Sequence, residues 1–86
     1  MWYVYILQCR DGSFYTGCTN DLDQRLKNHF NGKGGRYTRS HKVQKLLYRE
    51  QLSGKSEALK REAELKKYSR KKKEELIFSS LKRTVS

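Results

Sequence analysis

Residues 2–19, WYVYILQCRDGSFYTGCT, decide the fold. Residues 2–9 (WYVYILQC) are β-branched and aromatic, and residues 13–19 (SFYTGCT) form a second such run. Arg10-Asp11-Gly12 between them is turn chemistry, so the stretch reads as a β-hairpin. Two registers are open. A two-residue Asp11-Gly12 turn pairs Arg10 with Ser13 and puts Tyr5 and Tyr15 on opposite faces. A three-residue loop pairs Cys9 with Ser13, with Gly12 in the left-handed position of a bulge. Tyr5 then pairs with Gly17 and Leu7 with Tyr15. Tyr3, Tyr5, Tyr15 and Gly17 share one face, and Trp2, Val4, Ile6, Phe14 and Cys18 share the other. Only the second register separates an apolar face from a tyrosine face, and it is the one expected.

Downstream, Asn20 or Asp21 caps a helix, with Gln24 placed to complete a capping box. Leu22, Leu26 and Phe30 recur at helical spacing, and Asn31-Gly32 stops the helix. Residues 31–42 (NGKGGRYTRSHK) are a glycine-rich basic loop, and residues 43–50 (VQKLLYRE) read as a third strand. Ser56 caps a further helix running to about Tyr68 or Ser69. A last helix covers 71–81, with Leu76, Ile77 and Leu81 on its apolar side. No Pro or Gly separates these two, so one long helix is the alternative. The reading is a single α+β domain over 1–82 with a frayed tail at 83–86. A chain of 86 residues buries only about 60–65% of its unfolded surface, so its core is thin.

Charge narrows the partners. There are 20 Lys+Arg against 9 Asp+Glu, a formal net charge of +11. Such a field attracts polyanions. Nucleic acid is the first candidate and an acidic membrane surface the second. The membrane reading needs a broad apolar helix face, and the final helix is short and lysine-laden. Cys9 and Cys18 fall on opposite hairpin faces and cannot bridge. They are expected to be free thiols, as in a reducing cytoplasm, and they have no zinc-site spacing with the two histidines. No segment is long enough to cross a membrane, and residues 2–7 lack the features of a signal peptide.

Few residues can carry chemistry. Glu62 lies four residues after Ala58 and three before Leu65, beside the stripe that should face the core. A carboxylate there needs an ion pair or a metal, and pattern alone leans to the ion pair. Arg25 and His29, four apart, flank the Leu22/Leu26 stripe. An arginine there can grip a phosphate and a histidine can move a proton. On spacing alone, though, a solvated flank with His29 covering Phe30 is the better reading. A tyrosine hydroxyl can deprotonate a water only if its pKa falls from about 10, which a nearby arginine or metal favours. In the loop, Lys33, Arg36, Arg39 and Lys42 suit phosphate backbones and Tyr37 suits base stacking. His41 is expected to be exposed there without a specific task. The run Arg70-Lys71-Lys72-Lys73 suits a polyanion or a merely solvated helix surface equally well.

The order of these residues resembles the GIY-YIG nuclease domain, most of all its small stand-alone bacterial members. The pattern is Tyr3-Val4-Tyr5, then Tyr15-Thr16-Gly17, then Gly17-Cys18-Thr19-Asn20-Asp21-Leu22 leading to Arg25, then Ala58-Leu59-Lys60-Arg61-Glu62. It covers about residues 2–78, with Tyr3 in place of the first glycine and Val4 and Thr16 in place of the isoleucines. The resemblance implies a three-stranded antiparallel sheet flanked by helices and an endonuclease that hydrolyses phosphodiester bonds to a 5′-phosphate and a 3′-hydroxyl. It implies that Tyr5 and Tyr15 help activate water, that Arg25 binds the scissile phosphate, and that His29 stands near the site. It implies that Glu62 holds one Mg²⁺ or Mn²⁺. DNA is expected ahead of RNA, with a role in DNA repair, and a monomer is favoured. The alternative is a non-catalytic DNA- or RNA-binding module that keeps the fold.

Overall fold

A computed structural model describes residues 1–33 and 40–85, with side chains through Leu81. Arg36, Tyr37 and Arg39, three of the expected nucleic-acid contacts, lie outside the described residues. Strands β1 (Trp2–Cys9), β2 (Phe14–Thr19) and β3 (Val43–Leu52) form one antiparallel sheet in the order β2-β1-β3. Helices α1 (Leu22–Phe30), α2 (Lys55–Lys66) and α3 (Arg70–Val85) flank it. Among the described residues these form the expected three-stranded antiparallel sheet flanked by three helices.

The hairpin takes the three-residue loop. Cys9 N–H donates to Ser13 O at 2.8 Å, Gly12 N–H to Cys9 O at 2.9 Å, and Gly12 has φ 87°. Asp11 Oδ1 accepts from Ser13 N at 3.0 Å and from Ser13 Oγ at 2.6 Å, which fixes the turn with a side chain. Tyr5 therefore faces Gly17, and Leu7 faces Tyr15.

Central strand β1 is covered on both sides, which is why its sequence is an unbroken apolar run rather than an alternation. Val4 and Ile6 pack with Ala58, Leu65 and Ile77 of α2 and α3. Tyr5 and Leu7 pack on the other face with Leu22 and Val43, and with the partly buried Tyr3, Tyr15, Leu26 and Leu46. Two irregularities in β3, opposite Ile6/Leu7 and Gln8/Cys9, let Leu46 and Val43 turn to the tyrosine face while Leu47 and Tyr48 pack on the other.

Several local expectations change. Asp21 caps α1 through Gln24 N at 3.2 Å, but the Gln24 side chain bonds Asn28 at 3.2 Å instead of returning to the cap. The inward stripe of α1 is Leu22, Leu26 and His29, while Phe30 is half exposed. One residue step turns a helix by about 100°, so His29 and Phe30 cannot both face the sheet. Gly54, not Ser56, caps α2. Leu59 is exposed, leaving Ala58 and Leu65 as the buried residues of that helix. Two separate helices follow, because Ser69 Oγ accepts Lys72 N–H at 3.2 Å and starts α3.

The helices are tied to the sheet by polar clamps. Arg61 of α2 reaches Glu50 of β3 with Nε–Oε1 3.1 Å, and Tyr48 donates to the same oxygen at 2.6 Å. Arg70 donates to Gly12 O at 2.8 Å and lies 4.1 Å from the Phe14 ring centroid. The start of α3 is thereby fastened to the β1–β2 turn.

Candidate active site

Four of the expected site residues meet on the α1 face of the sheet. Tyr5 leans across β2 over Gly17, where the missing side chain makes room. Its ring centroid is 6.4 Å from that of Tyr15. The His29 ring, from the last turn of α1, stands 5.7 Å from Tyr5 and 5.2 Å from Tyr15. Tyr5 Oη and His29 Nε2 share a 2.8 Å hydrogen bond. Arg25, one helical turn before His29, lies within hydrogen-bonding reach of the Tyr5 and Tyr15 hydroxyls. Its Nε is buried and has no hydrogen-bond partner among the described residues.

The electrostatics differ from the expectation for Tyr5. Burial pushes its hydroxyl up to about 12, and the neighbouring Arg25 only partly offsets this. Desolvation of the phenolate outweighs one adjacent guanidinium. His29, almost wholly buried, is held down at about 4, first by burial and then by the Arg25 charge. It is a neutral imidazole at neutral pH, not a solvated flank residue. Arg25 itself is held above its ordinary range, first by its hydrogen bond to Tyr5.

Glu62 approaches from the other side. It projects from α2 toward the edge strand β2, with its side chain 21% exposed. Its ion pair to Lys66 is long at 3.7 Å. Its neighbour on the sheet is Cys18, which sequence reasoning did not place at the site. Burial raises the Cys18 thiol first, and the Glu62 carboxylate beside it raises it further. Lys66 and Arg25 act in the opposite sense. Cys18, one residue beyond Gly17, thus feels both the carboxylate and the guanidinium. The signal was the register itself, which put Cys18 on the α2 face of β2. Among the described residues no group of three or more His, Cys, Asp and Glu could hold a metal ion. A cation here would rest on Glu62 with waters and phosphate oxygens, a donor set that suits Mg²⁺ or Mn²⁺.

The basic residues divide. Lys33 and Lys42 are exposed near the end of α1. The 70–73 run belongs to α3, which packs on the sheet face away from the tyrosines. There Arg70 is engaged by Gly12, Phe14 and Glu74, Lys72 lies 4.2 Å over the Tyr68 ring, Lys71 is exposed and Lys73 is half-buried. His41, expected to be idle, lies 3.9 Å from Asp11 and 3.0 Å from Ser40 Oγ.

The GIY-YIG catalytic domain matches residues 1–75. A UPF0213 protein of Staphylococcus saprophyticus is 49% identical over 75 residues, covering 87% of this chain and 92% of that protein. A UPF0213 protein of Bacillus licheniformis is 52% identical, covering 87% and 77%. The solution structure of the UPF0213 protein BH0048 from Bacillus halodurans superposes with a TM-score of 0.57 at 49% identity, covering 90% of this chain and 83% of that one. With the sheet, the paired tyrosines and the matched span in agreement, the chain belongs to the GIY-YIG catalytic domain family.

Proposed function

We propose that this protein hydrolyses phosphodiester bonds in nucleic acid, DNA ahead of RNA, at the Tyr5–Tyr15–Arg25–Glu62 site. The observation that carries the reading is the buried, unpartnered Nε of Arg25 beside two tyrosine hydroxyls. A buried donor without a partner is costly, and a phosphoryl oxygen satisfies it. Arg25 then holds the phosphate and offsets charge developing on its oxygens.

Tyr5 keeps its proton throughout the neutral range, so it orients groups rather than taking a proton. Its hydroxyl is held by the 2.8 Å hydrogen bond with Nε2 of neutral His29, beside the Arg25 charge. Tyr15, only partly buried, is the hydroxyl left to order the attacking water. Glu62 would hold one Mg²⁺ or Mn²⁺, which supplies Lewis-acid stabilisation of the leaving oxygen.

The test is cleavage of branched, flapped, single-stranded and duplex DNA and RNA with each metal, beside Glu62→Ala. Cleavage by the unchanged protein, lost in the variant with binding kept, is the expected result. Equal cleavage by both removes Glu62 from the mechanism. Tight, salt-sensitive binding with no cleavage under any metal would make the protein a binding module.

A further inference from the structure

Beyond the tyrosine face lies a separate cavity of about 220 Å³ between the end of α1 and the start of β3. Arg10, Lys42, His29, Gly32 and Val43 are among the residues that line it. Among the described residues no carboxylate lines it. Neither the Arg10 guanidinium nor the Lys42 ammonium has an ion pair among the described residues, while the nearby Asp11 is directed to Ser13 and His41.

The two cations are placed by the backbone. Arg10 N–H donates to Lys42 O at 2.8 Å, so the residues leaving β1 and entering β3 are clipped together. The Asp11–His41 contact joins the same two segments. Lys42 has φ 55°, the sole left-handed non-glycine among the described residues. That conformation costs a lysine free energy, and such outliers concentrate at ligand sites. His29 lines this cavity and also touches both Tyr5 and Tyr15.

We propose that Arg10 and Lys42 form a second phosphate subsite, which takes a backbone phosphate flanking the one held at Arg25. This rests on the proposed nuclease reading. The ligand chemistry is a phosphate dianion or diester, and the strand rather than a free anion is the source the position favours. His29 borders both sites, so one strand crossing the tyrosines passes the cavity. The subsite would fix the direction and register of the strand across the tyrosines without reading its bases.

The experiment uses the whole chain carrying Glu62→Gln, so that substrate persists. Binding of a labelled duplex oligonucleotide is measured from about 50 to about 200 mM salt. Arg10→Gln/Lys42→Gln should lower the slope of log Kd against log salt by about 0.9, one phosphate contact. Lys55→Gln, at the other end of the sheet, should leave the slope unchanged. In parallel, inorganic phosphate should shift the Gly32 and Val43 amide resonances of the parent and not those of the double variant. The remaining amide spectrum reports that the double variant is folded. An unchanged slope, or an equal loss from Lys55→Gln, overturns the subsite while leaving the nuclease reading intact. Phosphate-dependent shifts with an unchanged slope make it a free-anion site and also overturn the proposal. Failure of the parent to bind any oligonucleotide overturns both readings.

Discussion

A Cβ built on Gly17 would lie 2.6 Å from Tyr5 Oη and 2.8 Å from Tyr5 Cζ, with Tyr15 Cε1 at 3.1 Å. Gly17 is not there for an unusual backbone angle, since its φ lies outside the left-handed range. It is there because the Tyr5 ring occupies the space a side chain would fill. Gly17→Ala must therefore displace Tyr5 from His29. The expected result is a stability loss of about 1–3 kcal/mol from overpacking. A fall in cleavage of about 10²-fold should follow from misplacement on the ångström scale. Thermal unfolding and single-turnover cleavage check the two separately. Wild-type cleavage by the alanine variant would show that the Tyr5 position is not needed.

His29 gives a pH dependence whose sign is set by its buried neutral state. Its folded pKa of about 4 lies below the ordinary 6.5. The unfolded chain therefore takes up a proton first as pH falls. The contribution is fully present above about 6.5 and is lost progressively toward about 4. It amounts to about 3 kcal/mol. Denaturant unfolding of the parent and of His29→Gln across that window should show a steeper acid decline for the parent. Parallel curves would place the His29 ring in water.

The fold was legible from β1 to α1 because each local signal agreed with its neighbours. Gly12 fitted the bulge turn, and that turn alone put Tyr5 and Tyr15 together. Arg25 was legible as a site residue through its place in the family pattern, and the structure sets it beside Tyr5 and Tyr15. His29 was harder, because a histidine at the edge of a helical stripe reads as solvated until the partner helix face is known. Glu62 could be placed beside the core, but not relative to Cys18, since that depends on how α2 lies against the sheet edge. The Arg10–Lys42 pairing was invisible. Its two residues are far apart in the chain and are joined by one backbone hydrogen bond that no periodicity announces.

Tyr5 can be tested without any substrate. Its hydroxyl is pushed up to about 12 by burial. The phenolate absorbance lost on Tyr5→Phe should therefore titrate above the ordinary range near 10. The stability that Tyr5 confers should be full below about 10 and fade as pH rises beyond it. A difference titration centred below 10 would show an activated phenol and return Tyr5 to the position of candidate base.

Arg61 should govern how firmly Glu62 is presented. Its Nε lies 3.1 Å from Glu50 Oε1, and its Nη1 2.6 Å from Glu64 Oε1. The Glu50 contact is partly buried and joins α2 to β3, whereas the Glu64 contact lies within α2 and is exposed. The cross-element bond should therefore carry most of the coupling. A double-mutant cycle of Arg61→Ala with Glu50→Gln is expected to give about 1–2 kcal/mol of interaction free energy. The same cycle with Glu64→Gln should give about 0.5 kcal/mol or less, the range of exposed pairs within a helix. Loss of the Arg61–Glu50 clamp also frees α2 to shift on the β2 edge. Arg61→Ala should then raise the metal concentration needed for half-maximal cleavage more than it lowers the rate at saturation. An equal effect on both, with no coupling to Glu50, would mean that α2 is held by Ala58 and Leu65 alone.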